Sequence, residues 1–374
     1  MRKWSVPLIC LGFIFSTTTP ANAILIPKSF ETLASSPFLF HPGIILVNPA
    51  TSETVFTDAP DVTRAPASVL KLVSMTTAIE ALGADTVFHT SISTTSTRGK
   101  FAMIGDGDPW ITTSSAIARK FHRALSTTLI TAALRSAPKL RTITIDTNGV
   151  YLKDLQNLKY LYRKKVNIKI HQVATFDEIR SEAETQIREI SSPPLSEIVQ
   201  FTLLWSDNVL ADRLARTAAK KLGFGTADAG IQQAFEETLK SIEVPAPGLS
   251  VFDGNGLSHE DRISARTIAD LLIQIKNRPE LKVIYDGLPL AGETGTLKNR
   301  FTLDAPTAVG LIKAKTGWID TTVSLAGYVD VGPDQYVFAV IADHIKPYER
   351  YRQIARKTID RMLGTIALPP PVTN

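Results

Sequence analysis

The stretch APASVLKLVSMTTAIEALG, residues 65–83, decides the fold, because its lysine stands where an apolar helix has no place for a charge. Lys71 is set among Val69, Leu70, Leu72, Val73, Met75, Ala78, Ile79 and Leu82, and a helix hydrophobic all round is a buried one. A buried ammonium must find partners or surrender its proton. Ser68 lies three residues earlier, and positions i and i+3 share a helix face, so the Lys71 amine can reach its hydroxyl. Pro66 comes just before, which puts Ser68 in the first turn, where free N–H groups and the helix dipole favour developing negative charge. Taken alone, the segment reads equally as a serine near a cap with a snorkelling lysine. At an ordinary pKa near 10.4 only about one lysine in 2,500 is neutral at pH 7. A fall of roughly three units, from burial and a neighbouring cation, turns such an amine into a working base.

Outward from this helix, GIILVN (43–48) and ETVFT (53–57) read as strands around the Asn48-Pro49 turn. Gly83 marks the end of the helix. From Val87 the texture changes: TVFHTSIST, KFAMIGDGDPW, LRTITID and KKVNIKIHQV are strand-like, with SSAIARKFHRALSTTLITAALRSAP and FDEIRSEAETQIREI as helices. Ser191-Ser192-Pro193-Pro194 closes this part. Helical pattern returns from Leu195 to Trp205, breaks at Ser206-Asp207-Asn208 and runs on to Leu222. TAVGLIKAKTG, TVSLAGYVDV and QYVFAVIAD are three strands, YERYRQIARKTIDRML is a helix that covers the sheet, and ALPPPVTN reads as a disordered tail. The expectation is an α/β (α+β) fold with one antiparallel sheet assembled from both termini beside a helical half. A discontinuous domain over 24–86 and 191–374 would carry an inserted smaller α/β domain at 87–190.

The first residues, MRKWSVPLICLGFIFSTTTPANA, have the basic start, short apolar run and small-residue cleavage site of a secretory signal peptide spanning 1–23. Export to a periplasmic, extracellular or cell-wall space is expected, with no membrane-spanning segment after cleavage. Cys10, the single cysteine, would leave with the leader. That excludes a disulfide, a thiol nucleophile and a thiolate metal site from the mature chain. The six histidines show no HExxH spacing, so a zinc hydrolase is not expected. Roughly 350 residues remain, enough for one large core and a second. The net charge of +5, reduced by two if Arg2 and Lys3 leave, suits an anionic wall or membrane environment without selecting a partner. KYLYRKKVNIKIH (159–171) interleaves basic and aromatic residues, but in an exported chain it reads as a solvated face rather than a nucleic-acid site.

Two further short motifs gain meaning beside Ser68 and Lys71. Ser206-Asp207-Asn208 stands at a break between helical segments, so Ser206 and Asn208 can point one way and Asp207 the other; alone it is an ordinary N-cap. Lys315-Thr316-Gly317 ends a strand, where Gly317 leaves room for a ligand to approach the backbone and Lys315 supplies a cation able to depress Lys71 and attract a carboxylate. Alone this too is an ordinary strand end. The order S-x-x-K, S-D-N, K-T-G, each in its fitting element, is that of serine acyl-transferases that bind penicillin.

With these motifs, and with GDGDPW (105–110), DGNGLSHEDRIS (253–264) and GETGTLKNRF (292–301), the chain resembles the class C low-molecular-mass penicillin-binding proteins, serine D-alanyl-D-alanine carboxypeptidases and endopeptidases. The resemblance covers about residues 40 to 345. It implies a transpeptidase/β-lactamase-like domain with an insertion between the first two motifs, acting on peptidoglycan stem peptides, acylated by β-lactams and using no metal and no cofactor. Ser68 would be the nucleophile and Lys71 its base, Ser206 would pass a proton to the leaving amine, and Asn208 would orient Lys71 and the substrate amide. Lys315 and Thr316 would hold the terminal carboxylate, Gly317 and Trp318 would line the same place, and the N–H groups of Ser68 and Trp318 would form the oxyanion hole. Two residues depart from the pattern: Trp318 stands where Thr or Ser is usual, and Thr294 where aspartate is common. The segment between Ser68 and Ser206 is also short for the family, which implies that one of two inserted subdomains is missing or reduced.

Two other readings share the motifs. A serine β-lactamase of class A adds a deacylating Glu with Asn four residues on, and no E-x-x-x-N occurs in this chain. A wall-binding protein with weakened catalysis would make Trp318 the suspect, against the intact Ser68, Lys71, Ser206, Asn208 and Lys315. The sequence sets neither the oligomeric state nor the balance of carboxypeptidase and endopeptidase action.

Overall fold

A computed structural model describes residues 24–370; the leader expected over 1–23 and the last four residues lie outside the described residues. Helix α1 (Lys28–Ala34) precedes β1 (Gly43–Asn48), β2 (Glu53–Asp58) and the short β3 (Thr63–Arg64). A 3₁₀ turn at Ala67–Leu70 leads into α2 (Lys71–Leu82). The next stretch holds β4 (His89–Thr94), β5 (Lys100–Gly105), α3 (Ser115–Phe121), α4 (Thr127–Ser136), β6 (Thr142–Asn148), α5 (Leu152–Tyr162), β7 (Asn167–Gln172), α6 (Phe176–Glu182) and β8 (Gln186–Ser191). Helices α7 (Leu195–Trp205), α8 (Asn208–Lys221) and α9 (Asp228–Ser241) follow, then β9 (Ile263–Ser264), α10 (Ala265–Asn277) and α11 (Lys282–Gly287). Strands β10 (Ile312–Ile319), β11 (Thr322–Val331) and β12 (Asp334–Ala342), and helix α12 (Glu349–Gly364), complete the chain.

The main sheet is antiparallel in the order β10-β11-β12-β1-β2, so strands from the two ends of the chain meet where Ile45 pairs with Ala339. Gly332-Pro333 joins β11 to β12, with Gly332 at φ +62 in the first central position of the two-residue turn, where a hairpin needs a positive φ. Alternate residues feed two cores. Ile45, Tyr328, Val337 and Ala339 pack with α2, α7, α8 and α10, while Ile44, Leu325, Phe338 and Val340 pack with α1 and α12. Both faces are therefore covered, and β1 is buried throughout rather than at every second residue.

A second sheet, β7-β6-β5-β4-β8, is built wholly between His89 and Ser191 and has a core of its own around Ile92, Phe101, Met103, Ile130, Ile145 and Leu155. Three sequence expectations are corrected here and at the tail. The charged helix expected over 176–190 ends at Glu182, and residues 186–191 form β8. Ile187 and Ile190 are three apart, which mimics a helix, but a bulge at Ile187 resets the pairing with β4 and lets both reach one core. The single helix expected over 114–138 is two, because His122 turns left-handed at φ +53 and sends Arg123 inward onto the carbonyls of Pro109 and Trp110. The tail expected to be disordered is held at its start: Ala367 is buried, and Leu368 exchanges backbone hydrogen bonds with Asp330 and Gly332.

Candidate active site

Ser68 and Lys71 occupy the junction of the 3₁₀ turn and α2, so Ser68 precedes the α-helix proper instead of standing in its first turn. Ala67 holds φ +50, a conformation that a residue with a Cβ adopts only where its surroundings impose it. Lys71 exposes no surface. Its Nζ lies 2.7 Å from Ser68 Oγ, 2.8 Å from Asn208 Oδ1 and 2.6 Å from the carbonyl oxygen of Asn255. A charged lysine can donate to all three. A neutral one has two N–H groups for the two carbonyl-type acceptors and a lone pair left for the Ser68 hydroxyl, which then donates to it.

Burial pushes the Lys71 amine down from 10.5 to about 7, against the pull of Asp253 and Asp207, which favour the charged form. The shift was expected to come partly from a neighbouring cation, but its cause is desolvation. The repulsion between the two lysines is expressed instead at Lys315, which exposes no surface and is held well below its ordinary value by burial first and Lys71 second.

Ser206 ends α7 in a left-handed conformation at φ +57, and Asp207 caps α8 by accepting from the N–H groups of Val209 and Leu210, both at 2.9 Å. This break turns Asn208 toward Lys71 while Ser206 Oγ accepts from Lys315 Nζ at 2.9 Å. Lys315 also donates to the carbonyl of Thr316 at 2.7 Å. The S-x-x-K, S-D-N and K-T-G residues are thus joined by hydrogen bonds into a trio, Lys71 with Ser68 and Asn208, and a pair, Lys315 with Ser206.

Gly317 does not serve the purpose expected of it. A Cβ there would lie 2.0 Å from Ser324 Oγ, 2.8 Å from the Pro66 carbonyl oxygen and 3.1 Å from Ala67 Cβ. The missing side chain admits the turn that bears Ser68, not a ligand. Ser324 Oγ donates to that same carbonyl at 2.7 Å and ties strand β11 to the turn. Thr316 Oγ1 donates to Thr296 Oγ1 at 3.0 Å, and Trp318 is 36% exposed with the Arg352 guanidinium 5.4 Å from its ring centre. Thr294 has a local task, accepting the Leu290 N–H through Oγ1 at 2.8 Å, which a carboxylate would also do.

Two loops supply further contributors. Asp253 gathers the N–H groups of Asn255, Gly256, Leu257 and Ser258, which presents the Asn255 carbonyl to Lys71. Gly256, at φ +79, allows this loop to touch the Ala67 carbonyl. Arg123, from the second sheet's α3–α4 break, lies 3.7 Å from Asp207 and 5.0 Å over Trp110. It links the GDGDPW loop to the S-D-N break. DGNG and GDGDPW were legible as motifs, but nothing in them named a carbonyl as the functional atom.

The D-Ala-D-Ala carboxypeptidase 3 (S13) family model matches residues 31–136 and 156–364. Carboxypeptidase DacB of Mycolicibacterium smegmatis is 34% identical over 185 residues, 48% of this chain and 40% of that protein. The D-alanyl-D-alanine carboxypeptidase of an Actinomadura species is 35% identical over 157 residues, 40% of this chain and 29% of that protein. The aligned part therefore spans less than half the length of these curated relatives. Among solved structures, penicillin binding protein 4 (dacB) from Haemophilus influenzae superposes with a TM-score of 0.70 at 15% identity, covering 87% of this chain and 95% of that one. A predatory endopeptidase from Bdellovibrio bacteriovorus, solved with an immunity protein, gives 0.59 at 18% identity, covering 86% and 92%. These two likenesses concern the fold.

Proposed function

Since the chain belongs to the D-Ala-D-Ala carboxypeptidase 3 (S13) family, we propose that it is an exported serine peptidase of the cell wall. It cleaves the bond after a penultimate D-alanine in peptidoglycan stem peptides through an acyl-Ser68 intermediate. The observation that carries this reading is the fully buried Lys71 amine, brought down to about 7 and placed 2.7 Å from Ser68 Oγ. Ser68 Oγ attacks the carbonyl carbon while its proton passes to Lys71. The N–H groups of Ser68 and Trp318 receive the oxyanion, each worth roughly 3 kcal/mol. The C–N bond then breaks, and the leaving amine takes a proton from Ser206, whose oxygen is engaged by Lys315; the proton that Lys71 took from Ser68 resupplies Ser206, which leaves Lys71 neutral for the second half. Asn208 keeps Lys71 directed. Thr316, with Lys315 behind it, faces the terminal carboxylate. Water hydrolyses the ester and returns the proton through Lys71.

The same serine is the site of acylation by β-lactams in this reading. A catalytic domain over 24–86 and 191–374, with the sheet of 87–190 as an accessory domain, is the matching division. Delivery to the periplasm or wall space by the leader completes it. No helix among the described residues is long and apolar enough to cross a membrane.

The test is release of free D-alanine from a pentapeptide ending in D-Ala-D-Ala, wild type against Ser68→Ala, with a D,D-cross-linked muropeptide as a parallel substrate. Cleavage by wild type alone, read as free D-alanine from the pentapeptide or as monomeric muropeptides from the cross-linked one, supports the proposal and tells exopeptidase from endopeptidase action. Release by neither, or equal release by Ser68→Ala, contradicts it.

A further inference from the structure

The second sheet has an end that the chemistry at Ser68 does not use. Strands β5, β6 and β7 run parallel, so Asp106, Gly149 and Gln172, at their carboxyl ends, meet on one side of the sheet. In open sheets of parallel strands, the crevice outside those ends is where ligands bind. Here α8 and the end of α2 stand over it and leave a cleft of about 890 Å³, room for a peptide of about three or four residues. The cleft is remote from the serine. Helix α8 begins at Asn208, beside Lys71, and carries Lys220 about 18 Å further along its axis.

Floor and wall differ in character. Leu82, Phe88, Val150, Leu152 and Phe176 supply apolar surface, and Leu152 stays 52% exposed. On the α8 wall, Lys220 and Lys221 are exposed, and neither amine has a hydrogen-bond or carboxylate partner among the described residues. Arg216, beside them, is neutralised by Asp212 at 2.8 Å and Asp228 at 2.9 Å. The cleft's own carboxylate, Asp106, turns both oxygens to the His89 N–H at 2.9 Å, and burial raises its pKa. Two ammonium groups are therefore the uncommitted charges of the cleft.

The backbone narrows the choice of anion. Gly107 N–H already donates to the Gly149 carbonyl at 2.9 Å, and a Cβ on Gly149 would strike the Gly105 carbonyl oxygen. These glycines serve close packing of chain on chain and form no open cradle of N–H groups of the kind that holds a phosphate. Gln172, exposed and without a side-chain partner among the described residues, can both donate to and accept from a peptide group.

We propose that this cleft is a second peptide site, which takes a short acidic peptide with small apolar side chains: a further stem peptide of the wall polymer, held away from the one being cleaved. It rests on the serine-peptidase reading above and goes beyond it. A stem held here raises the effective concentration of its neighbours at Ser68, so polymeric wall is preferred to free peptide.

The experiment blocks Ser68 with benzylpenicillin and titrates the penicilloyl protein calorimetrically with the tetrapeptides L-Ala-γ-D-Glu-X-D-Ala, X being L-lysine or diaminopimelate. One peptide is expected to bind, more weakly as salt rises. Lys220→Glu/Lys221→Glu is expected to weaken it by about tenfold, the scale for two exposed charges reversed. Val150→Trp, which narrows the cleft, weakens it by a second route. Both variants should be acylated by penicillin at the wild-type rate and keep kcat/KM on free pentapeptide, while kcat/KM on polymeric peptidoglycan falls. No peptide bound to the penicilloyl wild type, binding indifferent to the lysine pair, or displacement by inorganic phosphate at equal concentration overturns the site. Wild type that penicillin does not acylate overturns the underlying reading, and the stem-peptide assignment with it.

Discussion

Lys71 Nζ lies 2.7 Å from Ser68 Oγ, three residues away in sequence, and the same nitrogen meets Asn208 Oδ1 and the Asn255 carbonyl, 137 and 184 residues further on. The hydroxyl and the amine are delivered by one turn of chain, but the two acceptors that direct the amine come from the far side of the second sheet's insertion. Burial then decides protonation, because no carboxylate among the described residues touches the amine directly: Asp253 and Asp207 act on it only at a distance.

Lys71→Met removes the base and keeps the apolar volume. Acylation by penicillin is expected to slow by about a hundred- to ten-thousandfold, the range for a lost general base. Thermal stability should hold or rise, since the cost of keeping a buried amine neutral disappears. Labelling kinetics and thermal unfolding check the pair, and an unchanged acylation rate rules out the assigned role.

The acylation rate should climb as pH rises through about 7 and level off above it, as the buried amine loses its proton. Stability has its own dependence. The Lys71 value in the folded chain lies below its ordinary 10.5, so between about 7 and 10.5 the unfolded state holds a proton that the folded state lacks, and stability rises with pH there. Asp108 and Asp261 are pushed up from 3.8 to about 7, by burial first, so the folded state holds their protons longer and their contribution falls as pH rises from about 4 to 7. Each accepts through one oxygen only, and its other oxygen lacks a partner among the described residues. Denaturation at several pH values should show Asp261→Asn gaining on wild type as pH passes from 5 to 8.

Asn208→Asp places a carboxylate where an amide oxygen stands 2.8 Å from the amine. The new charge holds Lys71 protonated, so the acylation limb should move up by about one to three pH units. A limb left in place would mean that Asn208 does not bear on the reacting amine.

Gly317→Ala forces a Cβ to within 2.0 Å of Ser324 Oγ and 2.8 Å of the Pro66 carbonyl oxygen, so β10 must withdraw from the Ser68 turn. The expected cost is about 1–3 kcal/mol of stability, with acylation largely lost. Gly332→Ala, in open space at φ +62, should strain only its turn and leave labelling near wild type. Equal labelling of both variants would contradict the packing role of Gly317.

What the chain discloses locally and what it hides divide along sequence distance. The Ser68–Lys71 turn, the main-sheet strands and the S-D-N break are legible because each is set within about ten residues by apolar pattern, proline or a cap. The bulge at Ile187 is hidden because it exists only against β4. The inward turn of Arg123 is hidden because its acceptors are carbonyls of another loop. Gly317 misleads for the same reason: its neighbour is the turn at Pro66, far back in the chain. A lysine in K-T-G reads as exposed charge, and only the packed structure seals Lys315 from solvent.

The most direct measurement of the whole scheme is the mass of the intact protein after penicillin treatment at pH 6 and pH 8, followed by peptide mapping. One penicilloyl group on Ser68, forming faster at pH 8 than at pH 6 and absent from Lys71→Met, is the expected result. An adduct elsewhere, or one on Ser68 that forms at the same rate at both pH values and persists in Lys71→Met, would contradict it.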